Sequence, residues 1–362
     1  TLIKKGSLIA TENNSLYCIT VDDVDYANTN WSTGKDKSVD FTLTCSAPEY
    51  TNIPDPEFEK KLIYNGLDMV QDGRVLTKKI ANAEFLNIDS AAITDLTGLE
   101  VFTNLKRLSC NKINVKSINL SANTQLTELY CNSNNLDSID LSALVNLKTV
   151  NLYDNNLTQI DVSKNLALES ISIVKNKFTT IDFSANKALS AITCSNNPIT
   201  KINVSENPAL KYLTCTDVAI TSLDVRNNPA LIYLEFERNK ITSIDVSKNL
   251  ELSTLNSAQN PIVALDLKNN KKLASLNCSG SSYTSGSGGS GLISSLDLTN
   301  NVLLSTLKCS SNQLSKLDLT SNTQLEYVAV YGNTLTTLDL SKNAKLTYFS
   351  GNGNKFKTLN VK

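Results

Sequence analysis

A leucine returns every 21 residues through most of this chain, and that fixed period constrains the fold more than any other feature. The series is interrupted once, between Leu273 and Leu304. Its members are Leu105, Leu126, Leu147, Leu168, Leu189, Leu210, Leu231, Leu252, Leu273, Leu304, Leu325 and Leu346. A period of this length predicts a solenoid, in which one repeat forms one coil and buries its apolar side only against neighbouring coils.

Each repeat carries two short segments of alternating apolar and polar residues, such as 126–131 and 136–141. This alternation is the pattern of a strand with one buried face. Two strands per coil predict two parallel sheets that face each other across a narrow core. Asparagines recur at two corners of the repeat, as at Asn123 and Asn134. We expect their amides to bond backbone groups of successive coils.

The repeat consensus, L-x-x-L-x-C-x-x-N-x-L-x-x-L-D-L-S-x-N-x-x, resembles the leucine-rich-repeat family. Residues 53–63 are similar to the N-terminal cap of secreted leucine-rich-repeat proteins from the surfaces of Bacteroidota. The resemblance implies a right-handed α/β repeat solenoid dominated by β structure, with a short helical N-terminal cap. It also implies an exported protein that serves adhesion or ligand capture.

The residues of the cap themselves predict a helix, because Asp55 suits the N-cap, Pro56 the first helical position and Gly66 the end. We therefore expect three segments. They are a small β element at 1–47, a helical cap of the array at 48–82 and the solenoid at 83–362.

The two ends of the chain resemble parts of one structure. Residues 18–45 resemble the element that closes the C-terminal end of such arrays, whereas residues 358–362 form a strand pattern without a following cap. Residues 1–6 resemble the continuation that such a strand would have. We therefore expect the chain to be an excerpt of a longer protein, whose final strand either is covered by another molecule, as in a head-to-tail contact, or frays.

Six of the eight cysteines occupy one position of the repeat, which Leu152 or Phe236 fills in other coils. These six are Cys110, Cys131, Cys194, Cys215, Cys278 and Cys309. A position that accepts such residues is typical of a core, where a free Cys acts as a small apolar side chain. The alternative is a bridge between neighbouring coils, because stacked strands lie within disulfide range. A single file of thiols cannot surround a metal ion, so we expect no metal site.

Cys18 and Cys45 lie outside the repeats and are predicted to form a disulfide, which would place the protein in an oxidising, extracellular environment. The excess residues of the interrupted coil, 279–291, are rich in Ser and Gly and predict a loop whose only large side chain is Tyr283. A functional loop, a neutral insertion and an engineered linker remain open for this segment.

The second segment of the repeat displays an acidic column, as at Asp161 and Asp182. Two interpretations can explain how these neighbouring carboxylates are tolerated. Each Asp could accept a hydrogen bond from the N–H two residues later, or the column could bind calcium. We favour the local hydrogen bonds, because a calcium site needs ligands from several directions.

The outward positions of the first segment are free to carry specificity. The candidate ligand-binding residues there are Tyr130, Tyr153, Tyr212, Tyr233, Glu235, Glu237, Arg238, Tyr327, Tyr331 and Tyr348. Tyr212 and Tyr233 are expected to stack, as are Tyr327 and Tyr348. Such rings suit recognition of a protein or a glycan. The alternative is aromatic pairing that only stabilises the sheet.

Composition narrows the function classes. The chain has 34 Lys and Arg against 35 Asp and Glu, so it lacks the excess of positive charge expected of a protein that binds nucleic acid or an anionic membrane. It contains no His, which removes the commonest catalytic arrangements, and no apolar run long enough to span a membrane. We expect no enzyme activity and no cofactor. The favoured function is an extracellular or cell-surface binding module, and the alternative is a structural spacer without a specific ligand.

Overall fold

The computed structural model describes residues 8–12, 16, 18–37, 39–45, 48–281 and 291–361. The strand continuation predicted at residues 1–6 lies outside this range. Tyr283 and most of the predicted Ser/Gly loop also lie outside the described residues.

The first element is a small unit built on two parallel strands. It contains β1 (Cys18–Thr20), α1 (Val24–Trp31), a 3-10 turn at Ser32–Gly34 and β2 (Asp40–Thr42). Asp23 caps α1 by accepting a hydrogen bond from the N–H of Tyr26. A disulfide joins Cys18 to Cys45, as the sequence predicts.

The N-terminal cap of the solenoid contains β3 (Tyr50–Asn52), α2 (Pro56–Tyr64), β4 (Arg74–Leu76) and α3 (Thr77–Ala81). The predicted helix is confirmed as α2. Asp55 Oδ1 accepts from the N–H groups of Glu57 and Phe58 at 2.9 and 3.0 Å, which is the bonding of an N-cap. Its Oδ2 accepts from Thr94 in the first coils, so the same carboxylate ties the helix to the repeats.

A parallel sheet of thirteen strands forms one side of the solenoid. Its strands are β5 (Phe85–Asn87), β6 (Arg107–Ser109), β7 (Glu128–Tyr130), β8 (Thr149–Asn151), β9 (Ser170–Ser172), β10 (Ala191–Thr193), β11 (Tyr212–Thr214), β12 (Tyr233–Glu235), β13 (Thr254–Asn256), β14 (Ser275–Asn277), β15 (Thr306–Lys308), β16 (Tyr327–Ala329) and β18 (Tyr348–Ser350). Every pair is in register, so the central residue of each strand aligns with its neighbours, as Leu213 does with Leu234. The predicted solenoid is confirmed.

Two asparagine columns close the corners of the coils. Asn134 donates from Nδ2 to the carbonyl of Cys110 at 2.8 Å and accepts at Oδ1 from the N–H of Ile113 at 3.0 Å. The second column is fully buried: Asn123 donates to the carbonyls of Leu99 and Phe102 at 2.9 and 3.1 Å. Both columns therefore join one coil to the one before it.

The second sheet is much shorter than the sequence predicts. Only β17 (Thr337–Asp339) and β19 (Thr358–Asn360) form a parallel pair on that side, within the described part of the chain. Most other coils are joined there by at most one backbone bond, such as the 2.9 Å bond from the N–H of Lys177 to the carbonyl of Leu157. The next N–H, that of Phe178, donates to the corner side chain of Asn197 at 3.1 Å instead of to a neighbouring strand, so no continuous ladder forms. The head-to-tail contact through β19 stays a prediction.

The six cysteines of the repeat are buried and free, which confirms their interpretation as core residues. The alternative of bridges between coils is wrong. The side chains lie parallel along the column, and their thiols meet backbone carbonyls, as Cys110 Sγ does with Tyr130 at 3.3 Å.

Candidate binding face

The candidate site is the exposed side of the thirteen-stranded sheet, called here the sheet face. In most strands the central residue is buried and the first and third residues lie on the exposed side, because side chains alternate along a strand. In-register pairing then places equivalent residues in columns about 4.8 Å apart. The column of first residues includes Phe85, Arg107, Tyr212, Tyr233, Tyr327 and Tyr348.

The sheet face near the cap carries a cluster around Arg107. Its guanidinium carbon lies 5.6 Å from the ring centroid of Phe85 and 5.0 Å from that of Tyr130. Glu128 accepts from the hydroxyl of Tyr130 at 3.0 Å and lies 3.5 Å from Arg107 Nε. Burial, together with the hydrogen bond to Glu128, raises the pKa of Tyr130. The cation is thus held between two aromatic rings.

The sequence pattern predicts Tyr130 of this cluster as a candidate ligand-binding residue, but it does not predict Phe85 or Arg107. Phe85 belongs to an irregular coil that precedes the leucine series, so the 21-residue period did not assign it a position. Arg107 does occupy a regular outward position, one coil before Glu128. That placement was the signal that could have identified it.

The middle of the sheet face carries a hydrogen-bonded polar cluster. The hydroxyl of Tyr233 donates to Glu235 at 2.5 Å. The side-chain amide of Asn256 donates to both Glu235 and Glu237, at 3.1 and 3.0 Å. Arg238 contacts Glu237 at 2.5 Å and also pairs with a carboxylate of the preceding coil. Burial, with the contribution of Glu235, raises the pKa of Tyr233 to about 12.

The expected stacking of Tyr212 on Tyr233 is wrong. The two residues pair in register on β11 and β12, but their rings make no contact within the described structure. The phenol of Tyr233 points along its own strand to reach Glu235, which removes it from the ring of Tyr212. Tyr212 remains 46% exposed.

The far end of the sheet face carries the second aromatic cluster, where the expected stacking is present. The rings of Tyr327 and Tyr348 are 4.3 Å apart at an interplanar angle of 8°. The ammonium of Lys308 lies 5.4 Å from the centroid of Tyr327. Burial, with a hydrogen bond to Tyr348, raises the pKa of Tyr327, and the nearby hydroxyl of Tyr331 acts in the same direction.

Tyr153 stands apart from these clusters. Its ring lies 5.9 Å from the ammonium of Lys175, which pairs with Asp154 at 2.9 Å. The structure therefore distributes the predicted residues along the whole sheet face. It does not bring them together in one pocket.

The acidic column lies away from the sheet face and makes the local bonds that the sequence favours. Each Asp accepts from the N–H two residues later at 2.8–3.2 Å, as Asp161 does from Ser163. This bond lowers the pKa of Asp161, and the adjacent guanidinium of Arg226 lowers that of Asp224 to about 2. Across the described ranges, no group of three His, Cys, Asp or Glu side chains is arranged to hold a metal ion.

The described residues contain no helix long and apolar enough to cross a membrane.

No protein-family model matches the chain, and no curated protein matches it. Solved structures do match. The functional domain of InlJ from Listeria monocytogenes, described as including a cysteine ladder, is 30% identical over 86% of this chain and 73% of that chain, with a TM-score of 0.73.

Two further solved structures show the same fold at lower identity. A leucine-rich-repeat protein of Leptospira interrogans is 21% identical, covering 78% of this chain and 75% of that one, with a TM-score of 0.71. The internalin InlF of Listeria monocytogenes is 21% identical, covering 86% of this chain and 96% of that one, with a TM-score of 0.75. The narrower resemblance to Bacteroidota surface proteins stays a prediction.

Proposed function

The chain belongs to the leucine-rich-repeat family of bacterial proteins, and from this premise we propose that it is an extracellular binding module that recognises a protein through the sheet face. The spacing of the candidate residues along a rigid surface supports binding rather than chemistry, because no enclosed catalytic arrangement forms on that surface. The proposal assigns the protein no catalytic role and no cofactor.

The observation that carries the proposal is the placement of Arg107 between Phe85 and Tyr130. Arginine and tyrosine are enriched among the residues that dominate binding energy in protein interfaces. Phe85 is 48% exposed although it is large and apolar, so its ring is available to a partner. The Tyr327 and Tyr348 pair offers a second anchor of the same kind.

The distance between the two clusters favours a folded protein over a short glycan. Ten strand-to-strand steps separate β6 from β16 in the sheet. At about 4.8 Å per step the anchors are roughly 48 Å apart. A partner that contacts both must have the dimensions of a protein domain. A glycan could occupy one cluster alone, and the test below distinguishes that outcome.

The extracellular location is supported by the bond between Cys18 and Cys45. Disulfides persist in oxidising compartments and are rare in the cytosol. The proposal covers both secretion and display on a cell surface.

The experiment compares two double variants on an array of purified cell-surface and matrix proteins and on a glycan array. The variants are Arg107→Ala with Tyr130→Ser, and Tyr327→Ser with Tyr348→Ser. Tyr64→Ser is the matched control, because Tyr64 is 82% exposed but lies on α2, off the sheet face. We expect each double variant to lose about 30-fold or more in affinity for the protein partner, the effect of about 2 kcal/mol at a hot spot.

Three results would contradict the proposal. Binding to glycans alone, lost in one double variant, would make the protein a lectin. Equal binding by all variants would place the partner elsewhere on the molecule. Absence of any binding by the unaltered protein would favour the rigid spacer.

A further inference from the structure

The strands of the sheet face display two cations, one towards each end of the sheet. Among the first and third residues of the thirteen strands, Arg107 on β6 is the only arginine and Lys308 on β15 the only lysine. Each lies against a tyrosine ring, Arg107 against that of Tyr130 and Lys308 against that of Tyr327. Nine strand-to-strand steps of about 4.8 Å separate the two strands, roughly 43 Å in all. Each aromatic cluster therefore includes one positive charge.

Most hydrogen-bond donors of Arg107 have no partner in the fold. A guanidinium carries five N–H groups in one plane. In Arg107 only Nε approaches a carboxylate, and its distance of 3.5 Å from Glu128 Oε2 is too long for a hydrogen bond. The two Nη atoms bond no described residue, and the side chain is 51% exposed. These donors are therefore available to a group from another molecule.

Arginines elsewhere in the chain bond carboxylates of the fold itself. Arg226 donates from Nε and Nη2 to the two oxygens of Asp224 at 3.0 and 2.7 Å. Arg238 donates in the same way to the two oxygens of Asp217, both at 2.6 Å. This two-bond arrangement is the preferred geometry of an arginine with a carboxylate. Arg107 lacks it, although it lies on the surface that we propose binds a partner.

The neighbours of Arg107 determine which of its edges is open. Phe85 pairs with it in register on the preceding strand, and Tyr130 lies on the following strand, so the two rings flank the guanidinium. The guanidinium carbon is 5.6 Å from the centroid of the first ring and 5.0 Å from that of the second. Glu128 lies at the Nε edge. The edge formed by the two Nη atoms remains, and it can bond both oxygens of one carboxylate.

Lys308 is also without a carboxylate. Its in-register neighbours are Asn277 and Ala329, neither of which is charged. The ammonium is exposed, lies 5.4 Å from the ring centroid of Tyr327 and forms no ion pair with any described residue. The nearest side chains of the sheet thus leave this charge for a group outside the chain.

We propose that the protein partner places one carboxylate on Arg107 and another on Lys308, so that it presents acidic side chains at both ends of the sheet face. This inference rests on the proposed function, because it takes the sheet face as the binding surface. At Arg107 the carboxylate bonds the two Nη atoms, and its apolar stem packs against the rings of Phe85 and Tyr130. At Lys308 the carboxylate meets a point charge beside the stacked tyrosines.

The placement of the cations favours acidic side chains of a protein over a polyanionic chain. Nucleic acids and heavily sulfated glycans bind surfaces on which several cations follow a row of negative charges. Here each end of the sheet face carries a single cation, and Glu128 opposes the charge of Arg107. Lys106, next in sequence, already pairs with Glu84 at 2.8 Å. A partner with separate carboxylates fits this arrangement, whereas a continuous row of anions does not.

A peptide titration tests the site at Arg107 without the partner. The chain has only four arginines, so protein made with isotopically labelled arginine gives four Nε signals in nuclear magnetic resonance. A capped tetraglutamate peptide should shift the Arg107 signal, and a capped tetraglutamine peptide at equal ionic strength should not. The signals of Arg226 and Arg238 should stay in place, because their donors are already bonded. An unmoved Arg107 signal, or an equal shift with tetraglutamine, overturns the proposal.

Tyrosine ring signals test the site at Lys308 with the same peptide. The signal of Tyr327 should shift when tetraglutamate binds the ammonium beside the ring, and Lys308→Gln should abolish the shift. Tyr153 is the matched control. Lys175 lies 5.9 Å from the centroid of that ring but already pairs with Asp154 at 2.9 Å, so the Tyr153 signal should not move. A Tyr327 shift that survives Lys308→Gln, or no shift at all, overturns the proposal.

Affinity for a protein found on the array separates this proposal from the binding role itself. Arg107→Gln and Lys308→Gln should each lower that affinity about tenfold and reduce the salt dependence of the association rate, whereas Lys175→Gln should change neither. A partner that binds both variants as tightly as the unaltered protein overturns the acidic partner and leaves the binding role intact. If no protein binds, the proposed function fails, and the peptide titrations still decide whether the two cations take carboxylates.

Discussion

Asn207 donates a hydrogen bond from Nδ2 to the backbone carbonyl of Asn186, one coil earlier, at 2.9 Å. A second bond from the same amide reaches the carbonyl of Phe183 at 3.0 Å. The other side-chain atom, Oδ1, is fully buried and has no hydrogen-bond partner among the described residues. The same arrangement recurs along this column, so the amide works there as a donor only.

Replacing Asn207 by Asp should therefore be severely destabilising. The carboxylate would face two carbonyl oxygens that it cannot bond, without a compensating charge. We expect a loss of about 3–5 kcal/mol, the usual cost of an unpaired buried charge. Chemical denaturation followed by circular dichroism measures it. Asn203→Asp is the control, because Asn203 already accepts from Ser205 in the acidic column and should tolerate Asp. Similar losses in both variants would contradict this account.

The acidic column predicts loss of stability at low pH. The carboxylates of Asp140, Asp161 and Asp182 have lowered pKa values in the folded state because each accepts a backbone hydrogen bond. A lowered pKa contributes stability above the unfolded value of about 3.9, and this contribution is lost as the pH falls through the folded value. The melting temperature should therefore fall below about pH 4.

Changing Asp140, Asp161 and Asp182 together to Asn checks this assignment. Asn119 makes the same bond to Ser121 at 3.1 Å without a titrating group, so the triple variant should keep the turns. Its melting temperature should depend less on pH between about 4 and 2 than that of the unaltered protein. If the melting temperature of the triple variant fell at low pH as much as that of the unaltered protein, other groups would be responsible for the loss of stability in acid. A chelator should leave the melting curve unchanged, and a shift would revive the calcium interpretation.

The repeat cysteines should be inert in the folded protein. Burial raises the pKa of Cys194 and Cys278 to about 12, which suppresses the reactive thiolate at neutral pH. Mass spectrometry after treatment with iodoacetamide should show no modification of the six in the native state. In denaturant, without reductant, all six should react while Cys18 and Cys45 stay protected by their disulfide. Labelling of native protein, or fewer than six free thiols, would be inconsistent with a closed core.

Tyr233 should ionise at unusually high pH. Burial and Glu235 raise its pKa to about 12, because the phenolate would lose its donated bond and face a carboxylate. Changing Glu235 to Gln should lower that pKa, since the opposing charge disappears. Ring resonances followed by nuclear magnetic resonance through an alkaline titration measure it. Glu84→Gln is the charge-matched control, because Glu84 directly precedes β5, seven strands from β12 in the sheet. No change in the Glu235 variant would leave burial as the sole cause.

The repeat made much of the fold predictable from sequence. Asn134, Cys131 and Asp182 each occupy a position defined by the period, and the structure gives each the role that the period predicts. The extent of the second sheet was not predictable in this way. Alternation identifies an extended segment, but a ladder also needs free N–H groups, and the corner asparagines take the next one, as Asn197 does from Phe178.

The sheet face was only partly predictable. Two tyrosine pairs look identical in sequence, yet Tyr327 stacks on Tyr348 whereas Tyr233 does not stack on Tyr212. The difference depends on Glu235, the outward neighbour of Tyr233 on the same strand. The hydrogen bond from the Tyr233 hydroxyl to this carboxylate is stronger than stacking of the two rings. Column position fixes which residues are near each other. The choice of rotamer depends on the side chains beside them.

The in-register sheet also determines how the molecule would respond to force. Its inter-strand hydrogen bonds run along the solenoid axis, so tension applied to the two ends loads one coil boundary at a time instead of all of them together. Each regular coil that detaches releases 21 residues, about 70 Å of extended chain, and the coil between Leu273 and Leu304 releases 31. Stretched between two attachment points, such a protein would lengthen coil by coil at modest force and act as an extensible tether.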